Sequence, residues 1–538
     1  MNHSENSSNL LSRQLSDRLT NRQIPVEVKW PLSAVPAEQL FLVETQSDKT
    51  LQYAQILLLI QQFNALFSKK LQLQSKLGQL LSKTFVQDAE QSIPQHKCVI
   101  SVLVKDRFEL AIITLLGLFS PVIVNSINPE LRADEIETLL THAEPTLIIS
   151  DDDIEFNYSS SIMRLSASEI FEQIKQVEIA SDVVKKSVKI KGDLLIYTSG
   201  TTGQPKGVHL LAANILHNVH TACKHLPFFE GICTMSILPL FHTFTVISDL
   251  LTAFYCGGRC IINPVFNMQT IKVIADSTHQ WQVNSFSAVP VIFETLSLLK
   301  ADLADDIQFV VSGAAPLTEA VRSHYQQQFK HYLIPCYGMS EAVCFITITP
   351  YQQILPGSPG KPAGLNLQIL DDQQKPVAIN QRGEIAIKGG SVIRQYFKAN
   401  SEQQKLFTDD GWLLTGDIGY LNEQGYLTIT GRKKNMVIRG GEKVYLEDVE
   451  RCLMKDKLVR DVSSFCITDK RGIDKAVIFA VAQSEQITLE ILKSTIKSSL
   501  GNHHIPEHIV FVDEIPRTPT GKPYRKRMNE ILVEQNLL

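Results

Sequence analysis

The sequence lacks the features by which several classes of protein are recognised. Positive and negative side chains nearly balance, with 52 Lys and Arg against 56 Asp and Glu, so the net charge of −4 gives no electrostatic case for binding nucleic acid. The nine cysteines are odd in number and never spaced Cys-x-x-Cys, which argues against a disulfide framework. Cys256 and Cys260 have no companion ligands that would complete a metal site. We expect small buried thiols in a reduced, cytoplasmic protein.

Long apolar runs are missing as well. The most apolar stretch, residues 110–124, is interrupted by Ser120 and Pro121 and falls short of the ~20 residues that span a bilayer, so we predict buried core there and no integral membrane segment. The first ten residues are polar, without a basic patch followed by an apolar stretch. They lack the pattern of a secretory signal, and we interpret them as a disordered tail.

What remains is the composition of a folded enzyme with more than one domain. Hydrophobic residues make up 44% of the 538 residues and charged residues 20%, which is typical of globular proteins. This length exceeds what one hydrophobic core usually supports. At least two domains are therefore expected, which allows a cleft between them.

The order of apolar runs and helical periods predicts an α/β protein. Strands and helices alternate over residues 98–150 and again over residues 193–329, where strands are predicted at 193–198, 236–238, 259–262 and 309–312. We interpret the two series as two doubly wound lobes. Beyond Pro350, short apolar pieces between turn residues predict a small β-rich region. After Arg432-Lys433-Lys434 helix and strand mix again, so the predicted domains are residues 1–433 and 434–538.

The strongest local signal is at residues 197–207, Tyr-Thr-Ser-Gly-Thr-Thr-Gly-Gln-Pro-Lys-Gly, directly after an apolar strand. Glycines let the backbone approach a polyphosphate, hydroxyl and amide groups donate hydrogen bonds, and Lys206 supplies positive charge. The spacing differs from Gly-x-x-x-x-Gly-Lys-Ser/Thr, which disfavours a phosphoryl-transferring P-loop protein. By composition alone, a flexible surface turn fits the segment about as well.

The complete string resembles the signature of the acyl-adenylate-forming superfamily, which includes acyl-CoA synthetases, firefly luciferase and peptide synthetase adenylation domains. Further segments resemble the other signatures of that family in the same order. Residues 337–341, Tyr-Gly-Met-Ser-Glu, are similar to Tyr-Gly-x-Thr-Glu, and residues 415–417 are Thr-Gly-Asp. Taken alone, the first would be an exposed carboxylate at a helix start and the second an ordinary turn.

Two more segments complete the resemblance, which spans roughly residues 98–528. Residues 431–434, Gly-Arg-Lys-Lys, and the glycines that follow at 440 and 441 are similar to the family's hinge and the loop beyond it, although Lys433 also fits a solvated basic turn. Residues 516–522, Pro-Arg-Thr-Pro-Thr-Gly-Lys, resemble the closing motif. One departure lies at residues 211–214, where many members have Thr-His-x-Asn and this chain retains only Asn214.

The resemblance implies the fold class and the roles of individual residues. The expected architecture is α/β: a large N-terminal domain of two doubly wound α/β subdomains plus a small β-rich subdomain, followed by a small mobile α+β C-terminal domain. Catalysis would fall to Lys522, Glu341 and Lys206, magnesium ligation to Glu341 and Thr201, and the hinge to Lys434. The residues expected to bind nucleotide or the thiol cofactor are Thr198, Ser199, Gly200, Thr201, Thr202, Gly203, Lys206, Tyr337, Gly338, Ser340, Asp417, Arg432, Gly440 and Gly441.

The implied reaction uses ATP and Mg²⁺ to form an acyl-adenylate and passes the acyl group to CoA. Residues 239–242, Pro-Leu-Phe-His, resemble the segment of acyl- and aryl-CoA synthetases, and no aspartate stands beside His242 to pair with a substrate ammonium. An acid without an α-amine is therefore expected, hydrophobic and fatty in character. The predicted pocket residues are His242, Val246, Gly313, Ala314 and Met339.

Two alternatives stay open from the sequence. An acyl-carrier protein presents the same thiol as CoA, so an enzyme that loads such a carrier would have the same motifs. A non-catalytic adenylate-binding relative would keep the fold, but it is disfavoured because Lys206, Glu341 and Lys522 are all retained.

Overall fold

The computed structural model describes residues 36, 38–47, 49–66, 98–175, 190–198, 206–440, 442–455, 458–468, 474–484, 486–517, 523–535 and 537. The chain divides into two compact units. Unit 1 contains the described residues up to Ile354 together with Ala363–Leu365 and Gly389–Lys405, and unit 2 contains Leu355–Pro362, Asn366–Lys388 and the described residues from Leu406 onward. The boundary between residues 433 and 434 falls inside unit 2 and stays a prediction.

Unit 1 consists of strands and helices that alternate along most of its length. Its strands are β1 (Leu40–Glu44), β2 (Thr50–Gln52), β3 (Val99–Leu103), β4 (Ile123–Ser126), β5 (Leu147–Ser150), β6 (Met163–Leu165), β7 (Asp193–Thr198), β8 (Lys206–Leu210), β9 (Cys233–Ser236), β10 (Arg259–Ile262), β11 (Ser285–Ala288), β12 (Phe309–Ser312), β13 (Tyr332–Tyr337) and β14 (Thr347–Ile348). Its helices are α1 (Tyr53–Leu66), α2 (Arg107–Leu118), α3 (Ala133–Ala143), α4 (Ala167–Lys175), α5 (Ala212–His225), α6 (Thr243–Thr245), α7 (Thr252–Tyr255), α8 (Ile271–Gln280), α9 (Pro290–Leu298), α10 (Glu319–Gln328) and α11 (Ser401–Gln404). A π-helical turn, Val246–Leu251, joins α6 to α7, and Ser340–Ala342 form a 3₁₀ turn.

The first sheet of unit 1 has the strand order β6-β5-β3-β4-β7-β8. Its first five strands are parallel, and β8 returns antiparallel to β7. The strands β3, β4 and β5 are buried at every residue, as expected for a parallel sheet covered on both faces. The buried core predicted over residues 110–124 is confirmed, because α2 and β4 fill it.

The second sheet of unit 1 contains the strand order β14-β13-β12-β11-β9-β10-β1-β2, with antiparallel pairing only at β14 and β2 along this stretch. The two predicted series do not correspond to the two sheets, because β7 pairs with β4 in the first sheet and β1 joins the second. The strand predicted at 236–238 was also misplaced. Only Ser236 belongs to β9, whereas Ile237 and Leu238 are apolar because they are buried after the strand ends.

Unit 2 is built from smaller sheets. Its strands are β15 (Lys361–Pro362), β16 (Leu365–Leu370), β17 (Gly383–Gly389), β18 (Leu413–Leu421), β19 (Leu427–Arg432), β20 (Met436–Arg439), β21 (Glu442–Tyr445), β22 (Val459–Thr468), β23 (Asp474–Ala482) and β24 (His508–Phe511). Its helices are α12 (Leu446–Lys455), α13 (Leu489–Leu500) and α14 (Arg525–Glu534), and 3₁₀ turns cover Lys433–Asn435 and Asn502–His504. The sheets are β16-β17-β18-β19, the hairpin β20-β21, and β22-β23-β24.

The sheet β22-β23-β24 is covered on both faces, which follows from the alternation of side chains along β23. Ile478 and Ala480 pack with the apolar faces of α12 and α13, whereas Val477 and Phe479 pack with Met528 and Leu532 of α14. The predicted α/β class, with a β-rich region and an α+β region near the C-terminus, is confirmed.

Three sequence interpretations meet the structure in different ways. All nine cysteines are free thiols and all but Cys466 are buried, as predicted. Within the described ranges, no helix is long and apolar enough to cross a membrane. The predicted disordered tail at the N-terminus lies outside the described residues.

Candidate functional site

The phosphate-binding motif lies at the end of a β-hairpin in unit 1. β7 ends at Thr198 and β8 begins at Lys206, and these two residues are directly opposed partners in the antiparallel pair. The hairpin therefore holds the two ends of the motif side by side. The predicted site residues between them lie outside the described residues and are Ser199, Gly200, Thr201, Thr202 and Gly203.

Glu341 lies in a 3₁₀ turn shortly after β13, and only 7% of its surface is exposed. The hydroxyl of Tyr396 donates a hydrogen bond to Oε1 of Glu341 at 3.0 Å. Nζ of Lys206 lies 5.5 Å from the ring centroid of the same tyrosine, within cation–π range. The structure thus brings the predicted lysine and glutamate to one side chain, Tyr396, that sequence reasoning did not identify.

Tyr396 is 3% exposed, and its surroundings keep the phenol protonated. Burial, followed by the negative charge of Glu341, raises the pKa of Tyr396 well above its ordinary value. A protonated phenol can only donate its hydrogen to the carboxylate. Tyr396 can therefore donate this hydrogen bond to Oε1 of Glu341 across the physiological pH range.

The backbone around Glu341 is tightly constrained. Val343 adopts φ 67° and ψ −63°, and the N–H of Cys344 donates to the carbonyl of Ala342 at 2.8 Å, which defines a γ-turn of the rare, strained kind. A Cβ at Gly338 would overlap the carbonyl oxygen of Cys344, so only glycine fits there. Strained backbone of this kind clusters at functional sites in proteins.

The predicted acid-pocket residues lie on neighbouring elements of unit 1. His242 immediately precedes α6, and Val246 begins the π-helical turn and is buried. Gly313 follows β12, and a Cβ placed on it would lie 2.8 Å from Sγ of Cys336 and 3.1 Å from Cζ of Phe244. Phe244 and Cys336 were missed from the sequence, because nothing local marks them as neighbours of Gly313.

The remaining pocket residues occupy connecting segments. Ala314 has φ 65°, a left-handed backbone conformation that is uncommon for a residue with a side chain. Met339 is partly exposed and directly precedes the turn that carries Glu341. Two cavities of about 580 and 380 Å³ found in the described chain are lined by none of the predicted site residues.

Asp417 and Arg432 form a second cluster, in unit 2. They are directly opposed partners on β18 and β19, and Nε of Arg432 lies 2.9 Å from Oδ1 of Asp417, which is 5% exposed. The hydroxyl of Thr415 donates to the carbonyl of Ile385 at 2.9 Å and accepts from the N–H of Asp417 at 3.1 Å. Residues 415–417 are therefore part of a strand braced from two sides, and not an ordinary turn.

The predicted hinge residue Lys434 lies in the 3₁₀ turn between β19 and β20. Lys433 is not simply solvated, because its Nζ lies 2.6 Å from Oε2 of Glu384. Oε1 of Glu447, in the first turn of α12, accepts from the N–H of Arg432 at 3.1 Å and from Nδ2 of Asn435 at 2.8 Å. The bond from Arg432 crosses the predicted domain boundary within unit 2, and the two bonds to Glu447 hold the turn on both sides of Lys434.

Other contacts cross the same boundary. Arg382 pairs with Asp448 at 3.0 Å, and Lys443 pairs with Asp372 at 2.6 Å.

Gly440 has φ 59°, a left-handed conformation that favours glycine. Gly441 and Lys522 lie outside the described residues.

Each unit thus contains its own cluster of predicted site residues. Unit 1 carries Thr198, Lys206, His242, Val246, Gly313, Ala314, Tyr337, Gly338, Met339, Ser340 and Glu341, and unit 2 carries Asp417, Arg432, Lys434 and Gly440. No group of three His, Cys, Asp or Glu side chains suited to a metal ion occurs among the described residues. One carboxylate together with substrate phosphates is nevertheless a common way to bind Mg²⁺, and Glu341 supplies such a carboxylate.

Models of known protein families match two regions of the chain. A family model described as AMP-binding enzyme matches residues 94–397, and one described as AMP-binding enzyme C-terminal domain matches residues 448–522. The chain is 26% identical over 432 residues to an oxalate–CoA ligase of Arabidopsis thaliana, covering 76% of this chain and 83% of that protein. It is 26% identical over 360 residues to a medium-chain fatty-acid–CoA ligase of Escherichia coli, covering 65% and 63% respectively.

Solved structures share the fold at lower identity. ATP-bound MatB from Rhodopseudomonas palustris has a TM-score of 0.76 at 19% identity, covering 98% of this chain and 99% of that one. o-Succinylbenzoate CoA synthetase from Bacillus subtilis, in complex with ATP and magnesium, has a TM-score of 0.73 at 22% identity, covering 96% and 98%.

Proposed function

We propose that this chain, which belongs to the AMP-binding enzyme family, is an AMP-forming ligase that activates a carboxylic acid with ATP and joins it to CoA. The observation that carries the proposal is the meeting of Lys206 and Glu341 at Tyr396. A cation for phosphate and a buried carboxylate for a metal ion come together from motifs far apart in the sequence. The names of the curated relatives, all CoA ligases among those compared above, support CoA as the acceptor.

The reaction has two steps. An oxygen of the acid attacks the α-phosphate, a new P–O bond forms, and pyrophosphate leaves. A thiolate then attacks the acyl carbon of the adenylate, and AMP leaves with the electron pair of the broken C–O bond. Activation is needed because a free carboxylate would have to expel oxide.

The residues of unit 1 suit the first step. Lys206 would bind phosphate oxygens, and Glu341, held by Tyr396, would provide the carboxylate oxygen that Mg²⁺ prefers. When bound, Mg²⁺ would offset the negative charge of the ATP phosphates. Lys522 would stabilise charge developing at the carboxylate and α-phosphate, a role assigned from the closing motif.

In unit 2, Asp417 would accept hydrogen bonds from the ribose hydroxyls, with its carboxylate oriented by Arg432. Asp417→Asn is expected to raise KM for ATP by roughly 10- to 150-fold, because losing a hydrogen bond to a charged group costs ~1.5–3 kcal/mol. Initial rates of pyrophosphate release over a range of ATP concentrations measure this. Asp409→Asn, which neutralises an exposed carboxylate of the same unit, is the control. Equal KM values for Asp417→Asn and the control would remove Asp417 from the ribose site.

The acid is proposed to be a hydrophobic monocarboxylate without an α-amine. Phe244 and Cys336 present apolar surface near Gly313, which supports this choice. A panel of straight-chain fatty acids of increasing length, with malonate, oxalate and an amino acid for comparison, tests it through pyrophosphate release. Activity restricted to malonate or oxalate would overturn the substrate class and leave the ligase reaction standing. Running the panel with CoA and with a pantetheine-bearing carrier protein separates the two acceptors.

The proposed hinge at Lys434 is tested by restricting its backbone. Proline fixes φ near −65° and removes one backbone donor, so Lys434→Pro should retain adenylate formation and lose thioester formation, the step for which the family turns its C-terminal domain. Pyrophosphate release and acyl-CoA formation are measured separately. Lys434→Ala removes the side chain but keeps backbone freedom, and thermal unfolding checks both variants. Parent rates in both half-reactions of a folded Lys434→Pro protein would place the pivot elsewhere.

A cytoplasmic location is part of the same proposal. Nine free thiols without a disulfide are consistent with a reducing compartment.

A further inference from the structure

A short segment after β17, residues 390–397, connects the two phosphate-side motifs of unit 1, and we call it the strap. The N–H of Ile393 donates to the carbonyl of Glu341 at 2.9 Å, and the N–H of Phe397 donates to the carbonyl of Gly207 at 2.8 Å. Between these two points, the side chain of Tyr396 contacts both Glu341 and Lys206. The strap is therefore bonded to both motifs through its backbone and again through one side chain.

Asn214 anchors the start of the strap. Its Nδ2 donates to the carbonyl of Gly390 at 2.7 Å and lies 3.4 Å from that of Val392, while its Oδ1 accepts from the N–H of Leu211 at 3.1 Å. Asn214 lies in the first turn of α5, directly after the strand that begins with Lys206. Asn214 is the one residue of the 211–214 segment that matches the family pattern. Its side-chain amide joins the start of α5 to the strap, which gives a structural reason for an asparagine at this position.

The strap is part of the buried interior of unit 1. Ser391, Val392, Ile393 and Tyr396 are each at most 5% exposed. A strap that only filled space would need apolar contacts there. Instead, Tyr396 of the strap donates its hydroxyl hydrogen to the carboxylate of Glu341 and places its ring beside the ammonium group of Lys206. Both are contacts to charged groups in a low-dielectric setting.

We propose that Tyr396 is a positioning residue of the ligase reaction, which orients Glu341 through its hydroxyl and Lys206 through its ring, and that Asn214 holds the strap that carries it. The inference rests on the proposed function. The hydroxyl of Tyr396 donates a hydrogen bond to Oε1 of Glu341, and in this way would fix how the carboxylate is presented to Mg²⁺ on ATP. The ring restricts Lys206, whose free side chain would otherwise lose rotamer entropy on meeting phosphate.

Tyr396→Phe isolates the hydroxyl, because it keeps the ring beside Lys206. The Mg²⁺ concentration at which ATP binding is half-maximal, measured by titration calorimetry on the full chain, is expected to rise by about tenfold, the change that ~1.4 kcal/mol produces. In adenylate formation kcat should fall by a similar factor. Tyr325→Phe is the matched control, since it removes another buried hydroxyl of unit 1, bonded to His331 at 2.9 Å, and should leave both values unchanged.

A double-mutant cycle tests whether the hydroxyl acts through Glu341. In the Glu341→Gln background, adding Tyr396→Phe should change the Mg²⁺ requirement by less than twofold, because the charge to be oriented is already gone. Asn214→Asp, which keeps the acceptor for Leu211 but removes the donor to the strap, should move the Mg²⁺ requirement in the same direction as Tyr396→Phe.

The outcomes separate this inference from the proposed function. An unchanged Mg²⁺ requirement in Tyr396→Phe, or a fully additive effect in the cycle, would overturn the positioning role while the parent protein still formed adenylate. A parent protein that binds Mg-ATP but forms no adenylate with any acid of the panel would overturn the proposed function alone, since the calorimetric comparison does not depend on turnover.

Discussion

Lys522→Ala is expected to reduce adenylate formation from acid and ATP by roughly 100-fold or more, while transfer from a supplied acyl-adenylate to CoA stays close to the parent rate. The reason is that the lysine's positive charge is needed only while negative charge builds up between the carboxylate and the α-phosphate. Once AMP has become the leaving group, thiol attack no longer depends on that charge.

The two half-reactions are measured separately, as acid-dependent pyrophosphate release and as acyl-CoA formation from synthetic acyl-adenylate. Lys526→Ala is the control, because it removes an exposed lysine on α14, a few residues further along the chain. It should affect neither half-reaction. Equal losses in both half-reactions for Lys522→Ala would show that the lysine has a general structural role and no specific part in adenylate formation.

Glu341→Gln is expected to lower the rate of adenylate formation by roughly 10- to 100-fold and to shift the Mg²⁺ requirement upward. The amide oxygen of glutamine can still accept the hydrogen bond from Tyr396, so the packing of the buried turn should survive. What is lost is the negative charge that favours a divalent cation. The expected effect therefore lies in metal-dependent kinetics, with little change in stability.

A magnesium titration of the initial rate, together with thermal unfolding, measures both quantities. Glu294→Gln provides the control, because it neutralises an exposed carboxylate on α9 of the same unit. Normal turnover with an unshifted titration in Glu341→Gln would remove Glu341 from the metal site. The residues that orient it, Tyr396 and Asn214, would then lose their proposed role as well.

Local patterns predicted the elements that carry the site better than the contacts between them. The strands at residues 193–198, 259–262 and 309–312 were found in the sequence because buried strands read as short apolar runs. Which sheet β7 joins could not be read from its own residues, since an apolar run fits a parallel neighbour in either sheet.

The site shows the same limit. Glu341 and Lys206 were identified from motifs, but Tyr396 was not, because it lies 55 residues from Glu341 in the chain and no local pattern marks a tyrosine that bonds to a distant carboxylate. Lys433 was considered as a solvated residue, yet it lies in a 3₁₀ turn and pairs with Glu384 on β17 of unit 2. Pairings of this kind depend on strand register, which a single sequence does not specify.

The central claim, that the chain makes an acyl-adenylate, is tested most directly by exchange of labelled pyrophosphate into ATP in the absence of CoA. The account predicts exchange that depends on a carboxylic acid, together with AMP as the nucleotide product when CoA is added. Release of ADP and phosphate, or a purified and folded protein that shows no acid-dependent exchange with any acid of the panel, would contradict it.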